Sequence, residues 1–65
     1  MEYTIKATKN LISDTGSKEF TKDKTYTFKT DNRIVRSIQL ENIRVTNDLG
    51  ELHRIGVWYK YFKII

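Results

Sequence analysis

Apolar and polar residues alternate with a period of two along most of this chain, and no stretch sustains the three-to-four spacing of a long amphipathic helix. Tyr3, Ile5 and Ala7 alternate with Glu2, Thr4, Lys6 and Thr8, which puts one apolar and one polar face on a first strand over residues 2–8. Residues 25–30 repeat the pattern, with Tyr26 and Phe28 inward and β-favouring threonines outward. Ile43 and Val45 face the core from a strand over residues 43–47, and residues 52–57 form its return strand. Between them Asn47-Asp48-Leu49-Gly50 makes a type I turn, in which Gly50 supplies the positive φ that closes a hairpin with a one-residue bulge. Gly56 weakens the middle of the return strand and marks a bend or a close backbone approach.

The stretches between these strands are less regular. Residues 9–24 form a long loop with Asn10, Asp14, Gly16 and Asp23 as turn formers, anchored by Leu11, Ile12 and Phe20 tucked into the core. Asp31-Asn32 supplies a turn. Residues 33–42 fit two descriptions: a strand with Ile34, Arg36, Ile38 and Leu40 on one side, or a single short helix using Ile34, Val35 and Ile38. The β-branched residues and the lack of a capping box favour the strand. The tail packs four aromatics into five positions, Trp58 to Phe62. A 3₁₀ turn around residues 58–61 before a last strand over 62–65 buries Trp58, Phe62 and Ile64 and leaves Tyr59 and Lys60 accessible. Five or six short strands in a single domain spanning residues 1–65 predict an all-β, small, strongly bent antiparallel barrel, because closure removes aggregation-prone edges. An edge left open at residues 3–7 or 64–65 would let two copies pair as a homodimer.

Composition narrows the function. There is no cysteine, which excludes thiolate metal sites and cysteine nucleophiles, and the one histidine, His53, cannot build a multi-histidine site. Ser13, Ser17 and Ser37 have no activating sequence around them. A chain this short buries only about 60% of its unfolded surface, leaving little core from which to shape a substrate pocket. An enzyme would need an acid–base pair such as Asp14 with Glu19 in a cleft, and exposed loop carboxylates are ordinarily solvated. The expectation is therefore a protein with no catalytic residues, no metal and no cofactor. His53, a single imidazole beside Arg54, reads as a surface or half-buried side chain.

Twelve Lys and Arg against eight Asp and Glu give a net charge of +4, a bias toward an anionic partner. The charge is spread: residues 1–36 carry eight basic and five acidic side chains, residues 37–65 four and three. Acids interleave the lysines of residues 18–24, a mixture that solubility alone would produce. No stretch approaches the roughly 18 apolar residues of a membrane span, and the N-terminus lacks a signal-peptide core, so a cytoplasmic protein is expected.

The order of strand, long RT-type loop, second strand, hairpin, one-turn helix and short final strand resembles that of SH3-like barrels. Phe20-Thr21-Lys22-Asp23-Lys24-Thr25-Tyr26, Val45-Thr46-Asn47-Asp48-Leu49-Gly50-Glu51 and Trp58-Tyr59-Lys60-Tyr61-Phe62 look like the recurrent pattern of small proteins of Gram-positive phages and prophages, in which Gly often stands in place of Asp23. The resemblance covers nearly the whole chain except residues 31–42. It implies a bacterial host cell as the setting and action by binding host or phage components. The tyrosine motif and acidic loop of proline-peptide-binding SH3 domains are missing, so that ligand is not carried over. Arg33, Arg36 and Arg44 gather three guanidinium groups around the segment outside the pattern, and Tyr59 with Lys60 offers an exposed aromatic beside a cation. These five are the candidate binding residues. Two functions follow as expectations: a module that docks on a host protein, nucleoprotein or defence complex and inhibits or modulates it, or a small barrel that binds nucleic acid directly.

Overall fold

The elements run β1 (Glu2–Ala7), β2 (Leu11–Ile12), β3 (Lys18–Phe20), β4 (Thr25–Lys29), a 3₁₀ helix η1 (Ser37–Asn42), β5 (Arg44–Thr46), β6 (Leu52–Arg54), a second 3₁₀ helix η2 (Gly56–Tyr61) and β7 (Phe62–Ile64). They come from a computed structural model that describes every residue from Met1 to Ile65. β1 is the middle of a three-stranded antiparallel sheet ordered β4-β1-β7, while β2 pairs with β3 and β5 with β6. All-β and antiparallel, with a 3₁₀ piece directly before the last strand, is the expected architecture. Backbone pairing is distributed over three sheets rather than one continuous ladder. No helix is long and apolar enough to cross a membrane.

Register explains the core. Tyr3 stands opposite Phe28, Ile5 opposite Tyr26 and Ile64, and Ala7 opposite Phe62, so the apolar face of β1 is matched from both sides. Thr4, Thr25, Thr27, Lys6 and Lys63 take the other face. Leu11 and Phe20, directly paired across β2 and β3, close over the apolar face, and Val45, Ile55, Ile34 and Leu40 complete the buried cluster. Phe20 is its centre: its ring meets Tyr26 at 5.0 Å and Phe62 at 5.2 Å, both nearly perpendicular.

The structure corrects four expectations. Residues 33–42 do not form a strand; Ser37–Asn42 is a 3₁₀ helix, with Ile34 and Leu40 buried and Ile38 exposed. The cause is Gln39. Its Oε1 accepts hydrogen bonds from the Val35 and Arg36 N–H groups at 2.7 and 2.8 Å, and its Nε2 donates to the Arg33 carbonyl at 2.9 Å. Gln39 thus supplies the reaching-back half of a capping box at a helix whose N-cap is arginine, a combination that no Ser/Thr signature announces. Ile12 is 56% exposed instead of tucked in, because an irregularity between Leu11 and Ile12 turns only Leu11 inward. The return strand stops at Arg54, since Gly56, at φ +57°, swings the chain into η2. Residues 3–7 are no open edge, as β1 is flanked on both sides. The hairpin turn is as expected: Gly50 has φ +78° and its N–H donates to the Asn47 carbonyl at 3.1 Å.

Asp23 is the one non-glycine residue with positive φ, at +68°. Asp tolerates this region better than most side chains, yet glycine occupies it without strain and gives back part of that gain as unfolded-state entropy. Asp23→Gly is expected to stabilise the domain by about 0.5 kcal/mol, raising Tm by roughly 2–4 °C in a thermal melt. A lowered Tm would show that the aspartate makes a compensating interaction.

Candidate binding groove

Three elements meet where β3 crosses the end of the β5–β6 hairpin. The Asp48 N–H donates to the Glu19 carbonyl at 2.8 Å, which ties β3 to the hairpin turn. The Glu19 side chain is thereby buried, and its Oε1 accepts from Asn47 Nδ2 at 3.2 Å and lies 3.3 Å from His53 Nε2. His53 is on β6 opposite Val45, so alternation turns it inward while Leu52 and Arg54 point out. The Gly56 bend then brings Trp58 back over it. The imidazole and indole stack at 5.7 Å with 17° between their planes, and the Phe20 ring lies nearly perpendicular to both, 6.2 Å from His53 and 5.9 Å from Trp58.

Above this stack runs an open groove of about 380 Å³ between the β2–β3 hairpin and η2. Ile12 and Asp14 stand on one side, Val57 and Trp58 on the other, with Glu19 and His53 between. Ile12 and Val57 are largely exposed, Val57 at 72%. Arg54 sits at the rim, where its Nη2 donates to Asn42 Oδ1 at 3.0 Å and lies 3.9 Å from Glu41. The arrangement offers apolar contact flanked by charge. His53 Nε2 faces Glu19, and Nδ1 is buried without a hydrogen-bond partner in the chain. The nearby Ser13 hydroxyl is shared with Thr15 Oγ1 at 2.9 Å and accepts the Ser17 N–H at 3.2 Å.

On the other flank of the hairpin turn, Asp48 ties the framework together. Its carboxylate accepts from Thr21 Oγ1 at 2.6 Å, Lys24 Nζ at 2.7 Å and Tyr26 Oη at 2.8 Å, and Tyr26 Oη accepts the Thr21 N–H at 2.9 Å. Burial alone would push the Asp48 carboxyl up; the hydrogen bonds from Lys24, Thr21 and Tyr26 outweigh it and hold the group below the usual carboxylate range. Tyr26 moves up, first through burial.

No family model, no characterised protein and no solved structure matches this chain.

Its groove is not where the candidate residues lie. Arg33 borders a second, polar depression, and Arg36 is the exposed N-cap of η1. Arg44 is exposed on β5, directly opposite Arg54. Tyr59 is half-buried against the core, and Lys60 is exposed in the last turn of η2. η1 packs on η2, which puts Arg36 and Lys60 on neighbouring elements. None of the four cations forms an ion pair. The cation beside Tyr61 is Lys9, 4.5 Å from the ring centroid. Glu19, His53 and Trp58 escape sequence reasoning because 34 residues separate the acid from the imidazole. The signal that existed was His53 at an inward position of an alternating strand.

Proposed function

We propose that the protein is a non-enzymatic binding module that docks on a protein partner through the groove between the β2–β3 hairpin and η2. The observation that carries this reading is the His53–Trp58 stack, half-buried and bordered by exposed Ile12 and Val57 with Asp14 and Arg54 beside them. Aromatic and aliphatic anchors inside a polar rim are the anatomy of protein interfaces. The resemblance to small barrels of phages and prophages supports a host protein or defence complex as the partner, inhibited or modulated in the bacterial cytoplasm. The test is affinity capture from a nuclease-treated Gram-positive host lysate, comparing the wild-type chain with Trp58→Ala and Ile12→Asp. A captured protein should weaken at least about tenfold with either variant and persist with Arg36→Ala. Ile12→Asp lies on the surface and leaves the core intact, so its loss of capture reports the groove. Capture of nucleic acid alone, or of a protein indifferent to both variants, defeats the reading.

A second reading, direct nucleic-acid binding, is favoured by the outer face of the three-stranded sheet. Lys6 stands opposite Lys63, Lys29 opposite Glu2, and none of the three lysines has an ion-pair partner. Oligonucleotide affinity that falls steeply between low and moderate salt supports it; no binding at low salt removes it.

A further inference from the structure

A second depression, sharing no residue with the groove, is lined by Thr30, Asn32, Arg33, Gln39 and Asn42 around Ile34, and it encloses about 600 Å³. No carboxylate lines it. Contacts within the chain orient its donors. Gln39 holds the Arg33 carbonyl and the Val35 and Arg36 N–H groups, and the Ile34 N–H donates to Tyr3 Oη at 3.0 Å, which sets the backbone from which the Arg33 side chain projects. Asn42 gives its Oδ1 to Arg54, so its remaining polar group is the Nδ2 donor. Arg33 itself has neither an ion pair nor a side-chain hydrogen bond.

The neighbouring hairpin adds charge that the fold balances only in part. Arg44 and Arg54 face each other directly across β5 and β6, an arrangement that like charges disfavour. Arg54 is turned to Asn42 and Glu41, and Arg44 has no partner. Arg44 directly follows Ile43, which also borders the depression.

We infer that this depression is a binding site for a phosphate ester, with Arg33 and Asn42 Nδ2 donating to the phosphoryl oxygens and Arg44 and Arg54 supplying the surrounding positive field. A guanidinium fork, an amide donor and a hydroxyl arranged about one hollow suit an acceptor with several oxygens in three dimensions better than a planar carboxylate. The volume lies within the range of small-ligand sites, which fits an esterified phosphate rather than the bare ion.

The test is titration of the ¹⁵N-labelled chain, following backbone, Asn Nδ2 and Arg Nε resonances, with inorganic phosphate, adenosine monophosphate, a ten-nucleotide single strand and a ten-residue glutamate peptide. Saturable shifts at Arg33 and Asn42 are expected with the monophosphate, weakened at least about tenfold by Arg33→Ala and by Asn42→Asp. The spectra themselves report that both variants remain folded. Equal affinity for monophosphate and oligonucleotide assigns a terminal or free phosphate ester as the ligand; tighter binding of the oligonucleotide, still lost with Arg33→Ala, assigns a backbone phosphate. Shifts confined to Lys6, Lys29 and Lys63, insensitivity to Arg33→Ala, or a glutamate peptide that binds as well as the monophosphate would each overturn the assignment.

Discussion

Replacing Phe20 with alanine is expected to unfold the domain at room temperature. The side chain is fully buried, and four rings meet it nearly perpendicular: Tyr26, Phe62, Trp58 and His53. Truncating a phenylalanine in such a setting costs about 3–5 kcal/mol in lost transfer energy and cavity. A 65-residue domain has only about 3–10 kcal/mol of stability in total, so the loss consumes most of it. Phe20→Leu keeps most of the volume and should cost no more than about 1.5 kcal/mol. It separates fold from groove, because leucine removes the aromatic ring against which the His53–Trp58 stack packs. In Phe20→Leu the Trp58 fluorescence should shift to the red at temperatures where the far-ultraviolet circular dichroism is still native. An alanine variant that melts cooperatively within a few degrees of wild type would show that the core does not depend on this ring.

The parts of the fold that period two governs were legible in the residues. β1 and β4 are strict alternations, and the Asn47–Gly50 turn has the glycine that its geometry requires. Residues 33–42, by contrast, are held by side-chain-to-backbone bonding. Gln39 decides the conformation of residues 33–36, and a lone polar residue leaves no mark on an apolar pattern. Ile34 and Leu40 are buried six positions apart, a spacing that a strand also allows. The groove was illegible for a different reason. Its floor is a Glu19–His53 contact between distant strands, and its wall is a tryptophan that composition assigns to the core, where it sits only in part. Charge alone does not say which arginines share a hollow, and Arg33 borders the polar depression rather than the groove.

Asp48→Ala is expected to cost about 2–3 kcal/mol, the largest effect of any substitution outside the apolar core. Three donors lose an ionised acceptor at once, and hydrogen bonds to a charged group are worth about 1.5–3 kcal/mol each before the remaining groups find water. The Tyr26 ring is buried in the core, which holds its hydroxyl at this position. Asp48→Asn keeps an acceptor oxygen without the charge and should lose about half as much. The same contacts make stability depend on pH with a definite sign. The folded-state carboxyl is held below its ordinary value of 3.8, so the unfolded chain takes up a proton first as pH falls. The stabilisation is complete above about pH 5, declines as the unfolded chain protonates, and is gone once pH has dropped through the lower folded value. At high pH the sign reverses: Lys24 is raised by its hydrogen bond to Asp48 and Tyr26 by burial, and the stability that they contribute below pH 10 is lost as each deprotonates in the folded protein. Urea midpoints at pH 7, 4, 2.5 and 11 should therefore fall at both extremes in wild type. In Asp48→Asn the drop from pH 4 to 2.5 should be smaller, because the group that links folding to protons there has gone. Equal drops in the two proteins would place the acid sensitivity on other carboxylates and leave Asp48 a hydrogen-bond acceptor whose charge matters little.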